Sequence, residues 1–340
     1  MKTGDILLLR GKEVEEIFAG REREMMEAVR SAYLLHDTGD VSLPNCPFLR
    51  IPGDESSRII AKPAYLGGKF QTAGIKWIAS FPRNGQSGMA RASATLVLNS
   101  VESGVPTALM EGSIISALRT GASAALAADV LRGEMPATVC GLIGCGLINF
   151  TVLRFLLVAR PEVQEVLLYD TDSSRAEQFA RKIAGMLGGR GVRVVGRAED
   201  VILQANVVSL ATTATVPHLR ALAPADRNAV VLHVSLRDFT PEVVTGADNV
   251  VDDLEHICSN STSVHLAEQA TGSRSFIRTT LGRILAGTDP ARVEGRPVLF
   301  SPFGMGVLDM ALGHLAFTMA RDEGRGTVVA DFLPAVWDSI

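Results

Sequence analysis

The chain is short of cysteine, of surplus positive charge and of long uninterrupted apolar sequence. Its four cysteines (Cys46, Cys140, Cys145 and Cys258) have no C-x-x-C spacing. That argues against a disulfide framework and leaves reduced cytosolic thiols as the simplest reading. No cluster of His and Cys has zinc-site spacing, so no metal is expected. A formal net charge of −4 gives no electrostatic case for nucleic acid or an anionic membrane. No apolar run reaches the ~18–20 residues of a bilayer span. Met1-Lys-Thr-Gly-Asp5 lacks the basic-then-apolar order of a secretory leader. Internal repeats and low-complexity segments are also missing. A cytoplasmic globular protein is the expectation.

The 340 residues, 47% hydrophobic and 21% charged, suffice for two domains with ample cores. One stretch stands out: Thr138-Val-Cys-Gly-Leu-Ile-Gly144-Cys-Gly146-Leu-Ile-Asn149. An apolar run ends in a glycine turn, and an apolar helical pattern follows from about Leu147 to Ala159. A second run, Val166-Leu-Leu-Tyr169, then ends at Asp170, 24 residues after Gly146. This is the order of strand, phosphate-binding turn, helix, strand and ribose acid in a dinucleotide-binding unit. Gly144 permits the tight turn. Gly146 permits close approach to a pyrophosphate at the helix N-terminus. A carboxylate at Asp170 accepts ribose hydroxyls and repels a 2′-phosphate, which favours NAD over NADP. Asn149 stands where a third glycine normally allows close helix–strand packing, predicting a helix set slightly further out. The bland alternative is an α/β turn that holds nothing.

Around this unit the pattern predicts an α/β fold of two domains. Residues 126–302 alternate strands and helices as a Rossmann dinucleotide-binding domain. Residues 1–125, completed by 303–340, read as a second, mixed α+β domain. In the latter, Ile6–Leu9, Ile59–Ala61, Gly74–Ile78, Ala92–Leu98 and Thr107–Met110 read as strands, and Glu13–His36 as one helix. Ser113–Leu131 reads as a helix whose small residues allow close backbone approach. Val192–Val195, Val207–Leu210, Val230–Val234, Asn249–Val251 and Pro297–Phe300 continue the parallel sheet. Phe303-Gly-Met-Gly306 opens a last helix to about Arg321, and the tail after Gly324 has no pattern.

Basic residues in the first region occupy apolar or glycine-bounded surroundings: Arg50 after Pro47-Phe-Leu, Lys76 in Gly74-Ile-Lys-Trp-Ile78, Arg91 before Ala-Ser-Ala-Thr, and Arg119 inside an apolar helix. A guanidinium in so apolar a helix needs a partner. Glu111 or another buried carboxylate is the structural candidate; a substrate carboxylate gripped by the planar fork is the functional one. Asp238 follows an apolar strand, where ligands bind in open α/β sheets. It reads either as an acid that handles water or as a turn aspartate before Pro241. His233 reads as a core or supporting histidine, Ser301 as the start of a loop able to approach a nicotinamide or as a plain turn, and Trp77 as domain packing.

Taken together, these residues resemble the ornithine cyclodeaminase/mu-crystallin family over nearly the whole chain. The marks are Gly74-Ile-Lys76-Trp77, Pro106 to Ser113 leading into Leu118-Arg119-Thr-Gly-Ala, Leu142-Ile-Gly-Cys-Gly146, Ala211-Thr212-Thr213, Asp238 and Ser301-Pro-Phe-Gly-Met-Gly306. The resemblance implies a homodimer in which residues 1–125 with 303–340 form the substrate-binding and dimerisation domain and the Rossmann domain binds NAD(P), NAD being the choice that Asp170 favours, with an amino-acid-derived small molecule as substrate; no nucleic acid or membrane partner is expected. It implies that Arg50, Lys76 and Arg119 hold the substrate carboxylate and that Asp238 is the catalytic acid, with Lys76 a second catalytic candidate. Cofactor contacts fall on Gly144, Gly146, Leu147, Ile148, Asp170, Thr212, Thr213 and Ser301. Within the family the likeness runs to the 2,3-diaminopropionate-forming dehydrogenases of siderophore and peptide-antibiotic pathways, which oxidise N-(2-amino-2-carboxyethyl)-L-glutamate. Glu242 replaces a lysine that cyclodeaminases carry four residues after the aspartate, and Ile60 replaces a carboxylate associated with their substrate amine. Arg91 adds a cation suited to a third carboxylate. Cyclodeamination of ornithine, imine reduction and ligand binding without catalysis remain the alternatives.

Overall fold

A computed structural model describes residues 2 and 4–334. The chain forms two compact units, Met1–Arg119 with Met305–Ile340, and Thr120–Gly304.

The first unit begins with β1 (Ile6–Leu9), α1 (Gly11–Phe18) and α2 (Glu22–Asp37). The single helix expected over Glu13–His36 is two, broken at Ala19–Arg21, where Gly20 takes a left-handed φ of +71°. Then come β2 (Val41–Ser42), β3 (Phe48–Ile51), β4 (Asp54–Leu66), β5 (Thr72–Ser80), β6 (Ala92–Ser100), β7 (Pro106–Glu111) and α3 (Gly112–Arg132). The order in the sheet is β16-β1-β7-β6-β5-β4-β2 with β3 also on β4, where β16 (Thr327–Val329) comes from the tail that showed no pattern. Among the described residues of this sheet only β1–β7 is a parallel pair.

β4 runs well beyond the Ile59–Ala61 core visible in the sequence, straight through Pro63. The Ala61 amide donates to Pro47 on the β3 side, so the alternation turns Pro63's missing N–H to that same side. There β3 pairs only as far as Ile60 and β2 begins at Tyr65, so no ladder bond is lost.

α3 has the length and apolar composition to cross a bilayer, but 72% of its most apolar window is buried inside the protein. Arg119 interrupts its apolar sequence. Helix α11 (Gly306–Asp322) packs on this sheet through small residues. A Cβ on Gly313 would stand 2.4 Å from Leu96, and one on Gly306 3.1 Å from the Ala64 side chain.

The second unit contains β8 (Val139–Ile143), α4 (Leu147–Ala159), β9 (Glu165–Tyr169), α5 (Ser173–Leu187), β10 (Gly191–Val194), α6 (Ala198–Gln204), β11 (Val207–Leu210), β12 (Val230–His233), α7 (Pro241–Gly246), β13 (Asp248–Val251), α8 (Leu254–Ile257), α9 (Ser263–Thr271), β14 (Ile277–Thr280), α10 (Leu281–Ala286) and β15 (Val298–Ser301). All eight strands pair in parallel, in the order β10-β9-β8-β11-β12-β15-β13-β14. This is the predicted α/β Rossmann sheet, with β14 added. The order reverses between β8 and β11, so a crevice opens beyond their C-terminal ends, where ligands bind in such sheets.

Candidate active site

At that crevice the chain leaves β8 through Gly144-Cys145-Gly146. Gly144 has φ +90°, and a Cβ there would lie 2.5 Å from the Ala211 carbonyl oxygen, so no larger residue fits. Gly146 is extended, and a Cβ there would meet nothing within 4 Å. Its lack of a side chain keeps open a space that the protein itself does not fill. No side chain caps α4, and its first residues are open, with Leu147 66% exposed and Ile148 half-buried. Open space beside uncapped helix amides suits a pyrophosphate.

Asp170 stands at the end of β9, accepting from the amides of Cys145 (2.8 Å) and Asp172 (3.0 Å). Its carboxylate is thereby fixed against the glycine turn. Asn149, in the third-glycine position, is fully buried and donates to the carbonyls of Ile143, Gly144 and Ser209, while its amide oxygen accepts from Ser209 Oγ. An amide tie holds turn, helix and sheet together where glycine usually permits bare contact.

Beyond β12 lies Asp238, fully buried. Its Oδ1 accepts from Thr212 Oγ1 at 2.5 Å and its Oδ2 from Ser235 Oγ at 2.5 Å, with His233 Nε2 3.2 Å from Oδ2. Burial alone would raise this carboxyl. The His233 contact, followed by the Ser235 and Thr212 hydroxyls, more than offsets it and holds Asp238 down at about 2. Asp238 is therefore an ionised, multiply bonded carboxylate rather than an exposed base. Thr212 is committed to it, whereas Thr213 is exposed. Ser301 Oγ, 1% exposed, meets His233 Nδ1 at 3.2 Å.

In the first unit, register assembles the cations. Cross-strand neighbours share a face, which places Lys62, Lys76, Leu96 and Met110 in one row across β4–β7. Lys76 is 1% exposed, with Nζ 2.7 Å from both carboxylate oxygens of Asp309 and 3.0 Å from Ser116 Oγ. Arg119 Nε lies 3.2 Å from Asp309 Oδ1. Burial draws Lys76 down to about 7; Asp309 opposes this, while Arg119 and Lys62 reinforce it. Asp309 is held below the ordinary carboxylate value despite burial, chiefly by Lys76 and then Arg119. The structural partner of Arg119 is thus Asp309 on α11, not Glu111, which accepts instead from Ser113 and Ile114 at the start of α3.

Four residues along the same face, roughly 13 Å away at 3.3 Å per residue, a second row crosses β3–β5 as Arg50, Arg58 and Ser80. Arg91 Nη1 donates to Ser80 Oγ at 2.8 Å, and Arg50 stacks on Phe48. Ile60 and Ile78 lie between the two rows. Arg50 and Arg91 are exposed, unlike Lys76 and Arg119. Asp309 and Arg58 do not figure among the residues expected from the sequence. An acid inside Val307-Leu-Asp-Met-Ala311 carries the same signal that singles out Arg119. The reverse face exposes Leu49 (44%) and Trp77 (43%), so Trp77 does not pack the domain core.

The sequence matches the ornithine cyclodeaminase/mu-crystallin family across residues 7–323. It is 28% identical to N-((2S)-2-amino-2-carboxyethyl)-L-glutamate dehydrogenase of Staphylococcus aureus, over 96% of this chain and 98% of that one. The structure is similar to Thermococcus litoralis Δ1-pyrroline-2-carboxylate reductase in complex with NADH and L-proline (TM-score 0.86, 26% identity, 95% of this chain and 100% of that one). It is equally similar to an archaeal alanine dehydrogenase dimer with bound NAD (TM-score 0.86, 26% identity, 96% and 99% covered). The chain belongs to the ornithine cyclodeaminase/mu-crystallin family.

Proposed function

We propose that this protein is an NAD-dependent dehydrogenase that cleaves N-(2-amino-2-carboxyethyl)-L-glutamate to L-2,3-diaminopropionate and 2-oxoglutarate, forming NADH. The cofactor is NAD, and its class is that of oxidoreductases acting on amino-acid-derived CH–NH bonds, as the relatives' activities support. The observation that carries the finer reading is the cation-lined face of the first unit. Lys62, Lys76, Arg119, Arg58, Arg50 and Arg91 gather around Ile60 and Ile78, and the Asp309 carboxylate meets Lys76 and Arg119. Such a surface suits a substrate with several carboxylates and disfavours a second ammonium group such as ornithine's.

Lys76 and Arg119 bind the glutamate α-carboxylate. Arg50, Arg58 and Arg91 take the other carboxylates, fixing the substrate so that little orientational freedom remains to be lost in the reaction. Gly144, Gly146, Leu147, Ile148 and Asp170 hold NAD, with Thr213 beside them. When bound, NAD supplies the two-electron oxidation that turns the substrate's secondary amine into an imine. Asp238 then acts through the hydroxyls of Thr212 and Ser235, orienting the water that adds to the imine carbon. Breakdown of the carbinolamine releases both products. Consistent with the archaeal dimer, a homodimer forms through the reverse face bearing Leu49 and Trp77, and the site needs no metal, membrane or nucleic acid.

The test is incubation of the purified protein with NAD and the substrate, following NADH absorbance and identifying products by mass. Stoichiometric NADH, 2-oxoglutarate and diaminopropionate are expected. Proline and ammonia from ornithine without net NADH would instead identify a cyclodeaminase, and turnover of pyruvate, ammonia and NADH an alanine-type dehydrogenase.

A further inference from the structure

Strand register sets two lysines against each other. Lys62 on β4 and Lys76 on β5 are direct cross-strand partners, and the side chains of such a pair share one face with Cβ atoms about 5 Å apart. Both are buried, at 6% and 1% exposed. Arg119 of α3 (9% exposed) and Asp309 of α11 (0%) join them. β6 and β7 bring Leu96 and Met110 to the row, neither of them charged. Three buried cations thus meet one buried carboxylate. Like charges directly opposite one another destabilise a sheet, and a buried charge without a counter-charge is costly. Sheet packing alone therefore gives no reason for a lysine at position 62.

The hydrogen bonds show which cation is committed within the protein. Lys76 Nζ donates to Asp309 Oδ1 at 2.7 Å and to Ser116 Oγ at 3.0 Å. Arg119 reaches Asp309 Oδ1 through Nε at 3.2 Å, so the two Nη groups of its fork are not needed for that contact. The charge of Lys62 acts on both Lys76 and Asp309.

We propose that Lys62 is a further carboxylate-binding residue, working beside Arg119, and that its place opposite Lys76 makes carboxylate binding at this row take up a proton. This rests on the reading above that the row holds the substrate's α-carboxylate. In the unliganded row burial comes first in drawing Lys76 down to about 7; Asp309 opposes it, and Arg119 and Lys62 add to it. Above that pH Lys76 gives up its proton, and two cations remain against one acid. An arriving carboxylate brings a second negative charge, and Lys76 recovers its proton from solvent. Three cations then face two carboxylates, and no covalent bond other than that N–H has changed. Below pH 7 Lys76 is already charged and binding takes up nothing; well above it, uptake approaches about one proton per site.

The test follows binding of propionate, a carboxylate with no second charged group, to the NAD-loaded protein from about pH 6 to about pH 9. Proton uptake near pH 8 is read from the calorimetric heats in Tris and in triethanolamine, cationic buffers that differ in ionisation heat. Wild type should take up about one proton there and bind more weakly by up to about tenfold per pH unit above 7. Lys62→Met should bind about tenfold more weakly near pH 6, where every cation is charged. Its uptake near pH 8 should fall to about half or less, because Lys76 then keeps its proton to higher pH. Lys62→Arg retains the charge and should restore both values, and Lys62→Gln serves as the neutral variant if Lys62→Met does not fold. A folded neutral variant with wild-type affinity near pH 6 and wild-type uptake near pH 8 overturns the proposal. So does wild-type protein that binds propionate without proton uptake, or does not bind it at all. If propionate behaves as expected but the proposed substrate yields no NADH, the functional reading fails and the role of Lys62 stands.

Discussion

Replacing Asp309 by asparagine isolates the electrostatics of the cluster proposed to bind the substrate carboxylate. The side chain is fully buried, 2.7 Å from Lys76 Nζ and 3.2 Å from Arg119 Nε, with Lys62 also acting on it. Asparagine preserves shape and removes the negative charge that keeps these cations together. Removing one partner of a buried pair costs about 3–5 kcal/mol because the remaining charge is left uncompensated. At roughly 2–4 °C per kcal/mol for a unit of this size, a fall of order 10 °C in the melting transition is expected. Lys76, already depressed to about 7, loses the one interaction that raises it and becomes mostly neutral at pH 7. Substrate KM should therefore rise even where the protein remains folded. The control is a double-mutant cycle: Lys76→Met added to Asp309→Asn removes both members, and it should recover about half or more of the lost stability. Differential scanning calorimetry and steady-state kinetics supply the readouts. Strictly additive effects of the two substitutions, or an Asp309→Asn protein as stable as wild type with unchanged KM, would show that these charges do not depend on one another.

Other consequences are equally direct. In its proposed role Lys76 can bind a carboxylate only when protonated, and its depressed value of about 7 sets the direction: binding should be full below that pH and decline above it. KM should climb toward tenfold per pH unit above 7 in wild type and stay flat in Lys76→Arg; a flat wild-type profile counts against the assignment. Asp170→Ser removes the charge that repels a 2′-phosphate, so the preference for NAD over NADP should narrow by at least about tenfold, measured as the ratio of kcat/KM for the two cofactors. Asn149→Ala removes the amide donor shared by the Ile143, Gly144 and Ser209 carbonyls, of which Ile143 keeps the Ala211 amide, and leaves Ser209 Oγ without its acceptor; it should cost about 1–3 kcal/mol in urea unfolding, with weaker NAD binding because Gly144 loses its tie.

Much of the fold is legible in the amino-acid sequence, and for local reasons. Apolar runs that alternate with helical patterns, a glycine turn between them and an acid at the right distance are signals carried within tens of residues, and they lead to the parallel sheet, the crevice and NAD. Arg119 stands out because a charge in an apolar helix contradicts its surroundings. Asp309 carries the same contradiction on α11 but lies 190 residues from Arg119, and nothing local says which charge meets which. Arg58 gains its meaning from strand register: it faces Arg50 and Ser80, and lies four residues from Lys62, only because β3, β4 and β5 pair as they do. That pairing is set by bulges, turn lengths and the gap at Pro63, not by any single residue. His233 reads as core because a buried strand histidine usually is. Only the approach of β15 beside β12, and the fold of the loop that returns Asp238 to the ring, make it one member of a chain from Ser301 to Thr212. Short-range periodicity chooses the elements, whereas a buried charge finds its partner through packing that the whole chain must complete.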